Sequence, residues 1–481
     1  MEVDNADKIT KILTSAYPVN SMVELAELSS DNVRDNGAQY DVYGQNTQES
    51  YLWKDQTTEE NDAVKSLWQS HYAAITAANQ ALEAIERLGN PASLNPQKGE
   101  ALMCRAYAHF CLANIFCMPY DKSKSATELG IPYIKRTINE IDPPDERGTL
   151  EETYSNIQQD IEEGLPLIDN QIYSVPKYHF NKNAAHAFAA RFYLYTHQWA
   201  KAIEHADAVL GSNPSDKLRD WKAFSELDTD WDTRTNAYVS DKASCNLMLQ
   251  AAVSSWPYVC GPYYIGRRYG CSQSIMTGEI LSGLWSRLYM SNGIWGFEQK
   301  YCLPKFNGYF EYTDKTAGIG YLHLVNVAFS ADELLTERAE AEIMLSQEDK
   351  AVDDINALFK SLSGETFTKD QIVSYYKSIT PTPVPLGRRG TSTIRKILHP
   401  QGFSLPASDD AEPLIQCVLH IRRVLSVHEG LRWYDIKRWG IEVEHERSGQ
   451  ESDVLTVDDP RRAEQLPQEV IAAGLQANPR N

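Results

Sequence analysis

The chain of 481 residues lacks the short signatures of the common enzyme classes. It has no P-loop, no GxGxxG, no GxSxG and no HExxH, so the usual phosphate, dinucleotide, acyl-transfer and zinc-protease chemistries have no motif to rest on. The eight cysteines form no CxxC pair and no zinc-type spacing. Cys104 and Cys111 stand two helical turns apart in an apolar stretch, where a thiol packs as a small hydrophobe. DTDWD (228–232) begins like a calcium loop, but Thr233 replaces the required glycine and Val239 the closing glutamate, leaving a solvated acidic turn. Histidines are dispersed; His109 and His186 lie on apolar helical stretches and read as core residues. No metal and no cofactor is expected.

Positive charge is scarce: 46 Lys and Arg face 66 Asp and Glu, a formal net charge of -20. That balance repels phosphate backbones and excludes nucleic acid as a partner. No run approaches the roughly 18 apolar residues of a membrane-spanning helix. The opening MEVDNADKIT has neither the basic nor the apolar region of a signal peptide, which reads as a cytoplasmic chain or one whose leader has been removed.

What is present is helical periodicity. Residues 66–88, 98–116, 154–168 and 181–211 carry apolar positions at spacings of three and four, separated by breaks such as GNPASLNP. Within 181–211 and just beyond, Ala190, Tyr193, Ala202, Ala206, Val209 and Pro214 follow the spacing of a tetratricopeptide unit, with Trp199 opening the second helix. A weaker echo in 331–359 repeats the alanine separation at Ala339 and Ala351, followed by Ile355 and Leu358. The predicted fold class is mainly α: tetratricopeptide-like helical pairs with a loop-rich, irregular ligand-facing subdomain. A single unit over 1–481 is expected, with 1–211 and 331–481 as the helical scaffold and 212–330 as the irregular insertion.

Rings crowd two stretches without helical period, 40–53 and 256–312. Flat aromatic faces beside amides, acids and arginines suit pyranose rings, whose C–H faces are apolar and whose hydroxyls need hydrogen bonds. Loops on a rigid scaffold commonly carry binding residues. Ring density and loop placement select Tyr40, Tyr43, Trp53, Tyr263, Tyr264, Arg267, Trp285, Tyr289 and Trp295 as ligand-binding candidates. With 66 acids, a cleft holding two carboxylates about 5–9 Å apart would instead make an all-helical glycoside hydrolase. A tetratricopeptide scaffold binding peptide segments is the third reading.

Residues 414–440 read as one long helix on which Leu414, Val418, Ile421, Leu425, Trp433, Ile436 and Trp439 form the apolar positions. Glu429 would meet Arg432 or Trp433 one turn away, and Asp435 would meet Arg438 or Trp439. Such a segment is a self-neutralising clasp with arginine planes laid on tryptophan. IRRVLSVHEGLRWYDIKRWG resembles the carboxyl-terminal signature of the SusD/RagB family, with Glu429, Gly430, Arg432, Asp435, Arg438, Trp439 and Gly440 matching. The closing segment is similar too, with Pro467, Leu475, Asn478 and Pro479 in register.

The resemblance implies an outer-membrane, cell-surface lipoprotein that captures glycan, or sometimes peptide, and passes it to a SusC-like TonB-dependent transporter, without catalysis. It implies a structural role for Glu429, Arg432, Asp435, Arg438 and Trp439. The chain departs from the pattern at His428, where a hydrophobic residue is usual, and at Met290–Gly293, where a D-x-R is common. The expected lipid-bearing cysteine is absent from the start, in keeping with a sequence that begins after it.

Overall fold

The computed structural model describes residues 5–137, 145–263, 267–297, 299–386 and 392–480. Helices α1 (Ala6–Leu13), α2 (Val23–Leu28) and α3 (Gln45–Tyr51) precede the two longest, α4 (Val64–Arg87) and α5 (Asn95–Phe116). Then come α6 (Leu150–Gly164), the adjacent α7 (Lys182–Tyr195) and α8 (Trp199–Leu210), and the shorter α9 (Trp221–Ser225), α10 (Trp231–Tyr238), α11 (Trp256–Cys260) and α12 (Gln273–Ile275). The chain returns to long helices in α13 (Ala331–Met344), α14 (Glu348–Ser363), α15 (Lys369–Ser378) and α16 (Ala411–Ser426), and finishes with α17 (Leu431–Arg438) and α18 (Gln468–Ala472). Among the described residues, no helix is long and apolar enough to cross a membrane.

Local sequence explains most boundaries. Thr149 and Glu152 form a reciprocal capping box at the start of α6, and Thr368 with Gln371 does the same for α15. Asp230, in the acidic turn, accepts from the Thr233 N–H and caps α10. Helix α5 is buried around almost its whole circumference, which marks it as the central rod. It approaches α6 closely because both contact points are glycines: a Cβ on Gly99 would lie 2.8 Å from the Gly164 carbonyl oxygen, and one on Gly164 2.8 Å from the Leu102 Cβ. Arg105 of α5 grips Asp160 of α6 through two 2.7 Å bonds and Asn79 of α4 through a third. In the α7–α8 pair Ala190, Ala202 and Ala206 are buried, as are Ala339 and Ala351 in α13–α14.

The stretch between α8 and α13 is more ordered than its composition suggests. Strands β1 (Arg34–Asp35) and β3 (Tyr269–Gly270) pair antiparallel, tying the early loop to the middle of the chain. Strand β2 (Asn246–Val253), β6 (Tyr309–Asp314) and the twelve-residue β7 (Ile319–Ser330) form an antiparallel sheet in the order β2-β7-β6. Strands β4 (Trp295–Phe297) and β5 (Lys300–Cys302) make a hairpin, and β8 (Val443–His445) pairs with β9 (Asp453–Leu455).

The expected single helix over 414–440 is two helices. Val427 to Gly430 break it, with His428 at φ 73° and Gly430 at φ 78°. The break is held from outside the segment: the buried Glu27 carboxylate of α2 accepts from the His428 and Gly430 N–H groups. Gly430 is also pinned sterically, since a Cβ there would sit 3.1 Å from the Ala26 Cβ and 3.2 Å from the Val23 Cα. Gly430→Ala adds left-handed strain to that crowding. It is expected to destabilise the fold by roughly 2–3 kcal/mol, read as a lower midpoint in denaturant melts.

Candidate functional site

The structure separates the predicted ring residues into three groups. Trp53 and Trp285 lie in the core, at 6% and 5% exposure, and are corrected from ligand-facing to structural. Trp53 follows α3 at φ 47°; its ring stacks on His445 at 4.0 Å, with Arg461 5.6 Å from its centroid, and its indole N–H donates to the Ser29 carbonyl. Trp285 donates to the Leu281 carbonyl and packs against His420 and Phe359. An indole whose single donor finds an internal carbonyl can be buried without cost. Trp53→Ala is therefore expected to lower stability by about 3–5 kcal/mol, while the fraction that stays folded keeps its ligand affinity, as melts and titrations at low temperature would show. Tyr289 is half-buried, in a turn that packs against α9 and α14. Tyr264 lies outside the described residues.

Tyr40, Tyr43, Arg267 and Trp295 form the first patch, and all are half-buried. The loop carrying Tyr40 and Tyr43 is anchored by Asp41, whose carbonyl accepts from the Arg268 N–H, and by Asn36, which donates to the Arg267 carbonyl. The Arg268 guanidinium forms a two-pronged ion pair with Asp35. That pairing turns Arg267 the other way along the strand, with its guanidinium carbon 5.0 Å from the Tyr43 centroid. Trp295 covers Lys300, whose ammonium is 5.7 Å from the ring and which burial pushes down to about 8.

Tyr263 belongs to a second patch. It stacks on Tyr258 at 4.8 Å, and its hydroxyl accepts from the Gly308 N–H. Nearby, Tyr309 stacks on His323 and donates to Asn236, while Asn307 donates to Asp232. Beyond Tyr309 the β6–β7 hairpin exposes Phe310 and Tyr312. Tyr258, Tyr309 and Asn236 were not singled out from sequence. The signal was present in β6, where YFEYTD sets rings beside acids, but it was absorbed into the general ring density of the region.

The comparisons agree with this architecture. Residues 1–194 match the SusD-like family model described as starch-binding and associating with the outer membrane. A SusD superfamily protein from Bacteroides thetaiotaomicron VPI-5482 superposes at TM-score 0.70 over 98% of this chain and 99% of its own, at 18% identity. The chain has the SusD fold. A putative sugar-binding protein from Bacteroides vulgatus ATCC 8482 gives TM-score 0.69 over 100% of this chain and 99% of its own, at 16% identity. A second SusD superfamily protein from that organism gives 0.67 over 98% and 97%, at 19% identity. No curated protein matches the chain.

The carboxyl-terminal segment that resembles the family signature is a buried charge lattice. Glu340 of α13 forms ion pairs with both Arg422 of α16 and Arg438 of α17, and Arg422 also pairs with Asp435 at 2.8 Å. Burial alone would raise Glu340, but the two guanidiniums hold it below the ordinary carboxylate range. The expected one-turn neutralisation is only partly present. Asp435 lies 3.6 Å from Arg438, whereas Glu429 pairs with Lys305 and Tyr238, and Arg432 pairs with Asp31. Nor do the arginines lie on tryptophan: Arg438 stacks on Tyr195 at 4.6 Å, and Trp439 meets Phe403 edge-on. The break at Gly430 sends Glu429 away from the helix face assumed from spacing.

A cleft of about 510 Å³ opens between β8 and residues 382–386 and 392–397. The acids lining it are Asp31, Glu279, Glu442, Glu444 and Glu446, and the first two are ringed by cations. Burial would raise both, but Arg423, Arg432 and Lys396 hold Asp31 well below its usual value, and Lys396 with Arg423 lowers Glu279. Neither carries the proton that a general acid needs at neutral pH. Among the described residues, no group of three or more His, Cys, Asp or Glu side chains could hold a metal ion.

Proposed function

We propose that the chain captures oligosaccharide at the cell surface and passes it to a TonB-dependent outer-membrane transporter, from a lipid-anchored position on the outer membrane. The observation that carries the reading is the joining of two half-buried ring patches to a whole-length SusD fold. Tyr40, Tyr43, Arg267 and Trp295 make up one patch, and Tyr263 with Tyr258, Tyr309 and Asn236 the other. Rings supply apolar faces for sugar C–H surfaces, while Asn236, Asn307 and Asp232 supply hydroxyl partners. The similar fold of a putative sugar-binding protein supports the same ligand class.

The charge lattice serves this purpose by fixing the helices on which the loops are mounted. Binding without turnover is supported by the ionised state of Asp31 and Glu279 in the cleft. Titration calorimetry against oligosaccharides and short peptides tests the reading. Micromolar to millimolar association with sugars, lost when Tyr43 and Tyr263 are replaced, supports it. Association with peptides alone would favour the helical-scaffold alternative. Isolation of the native protein with its membrane tests the rest: a barrel partner should co-purify.

A further inference from the structure

Beneath the two ring patches, two carboxyl groups face one another in the interior. Glu24 of α2 is fully buried and Asp62 is 1% exposed. One oxygen of each is satisfied: Glu24 Oε1 accepts from the Asn46 and Thr47 side chains in the first turn of α3, and Asp62 Oδ2 accepts from the Ser255 N–H at the start of α11. The other two oxygens, Glu24 Oε2 and Asp62 Oδ1, are buried with no donor. Two ionised carboxylates cannot share such a site, whereas one proton between them satisfies both orphan oxygens.

From this geometry we infer that Glu24 and Asp62 hold a single proton in common, and that the shared proton latches the 40–51 and 254–263 segments to the scaffold, making ligand capture pH-dependent. The inference rests on the glycan-binding reading only in its last clause. Tyr40 and Tyr43 precede α3, and Tyr258 lies in α11 and stacks on Tyr263, so the latch joins the roots of both patches. The titratable groups around the pair are Glu27 on its own helix, Glu49 on α3, Glu60 in the loop before α4 and the Cys260 thiol on α11. Glu60 adds negative charge and disfavours a second ionisation. Lys305 acts on Glu27, and His428 meets Glu27.

The sign follows from linkage. Burial, together with the partner carboxyl, raises Glu24 well above its ordinary value, and burial raises Asp62 to about 6. The folded state therefore holds a proton that the unfolded chain has already released at neutral pH, and the latch weakens as pH rises through the raised value of Glu24.

Glu24→Gln supplies the test, because its amide donates permanently to Asp62 while its carbonyl still accepts from Asn46 and Thr47; Asp62→Asn is the companion variant should the first fold poorly. Hydrogen exchange compared at equal pH needs no ligand. At pH 6 the wild type and the variant should match. At pH 8.5 residues 40–51 and 254–263 should exchange faster in the wild type, with the rest unchanged. Equal exchange at every pH up to the highest at which both proteins stay folded overturns the latch. With a bound oligosaccharide as probe, wild-type affinity should fall by about fivefold or more from pH 6 to 8.5, and that of Glu24→Gln should not. If no sugar binds at any pH, the glycan reading fails, while the exchange result still decides whether the shared proton exists.

Discussion

Glu340→Ala is expected to destabilise the protein by roughly 3–5 kcal/mol, enough to leave much of the chain unfolded at ambient temperature. The residue is fully buried and is the common ion-pair partner of Arg422 and Arg438. Its removal leaves two guanidiniums in a low-dielectric interior, and the desolvation penalty of an unpaired buried charge exceeds the loss of any one hydrogen bond. Arg422 would retain Asp435 and the Thr336 carbonyl, but Arg438 would keep only the longer contact to Asp435. Glu340→Gln, which preserves shape and one acceptor, should cost less. The same site sets an acid limit. Because the folded carboxylate is held below its unfolded value, its contribution is present at neutral pH and is lost as pH falls through the folded value. Denaturant melts at pH 7 and in acid check both statements, and a variant that melts like the wild type at pH 7 would contradict the first.

The second large effect falls on binding. Tyr43→Ala and Tyr263→Ala each remove one half-exposed ring, and each is expected to weaken oligosaccharide affinity by about 1–1.5 kcal/mol, or roughly tenfold. The two lie in different patches, so their effects should approach additivity and the double variant should bind about a hundredfold more weakly. Tyr263→Phe keeps the stacked face and should lose little. Melting temperatures should move only slightly in all three, since neither ring is in the core. A double variant that binds as the wild type does would remove the rings from the account.

The helices were legible because each declares itself locally: apolar period in α4 and α5, caps at α6 and α15, and a clean break at GNPASLNP. The split between α16 and α17 was not, because its cause is remote. Glu27 reaches it from a segment some four hundred residues earlier, and of the two left-handed residues at the break, His428 and Gly430, the single glycine was the local cue. The fate of Trp53 was hidden for the same reason, since its partners His445 and Arg461 arrive from the far end of the chain. Strand β7 did offer a local cue in LHLVNVAF, yet its half-buried alternation was read as irregular among so many rings. In the candidate site, sequence alone brought Tyr43 and Arg267 onto one list, but only pairing of β1 with β3 explains why they meet. The carboxyl pair at Glu24 and Asp62 has no sequence signature, because acids separated by 38 positions carry no spacing rule.

The central claim is that the ring patches hold sugar and release it unchanged. Calorimetric titration of the wild type with a panel of oligosaccharides, followed by chromatography of the same samples after prolonged incubation, tests it most directly. The account predicts saturable binding of at least one oligosaccharide and its recovery intact. Shortened products, or an absence of binding across the panel at millimolar concentration, would contradict it.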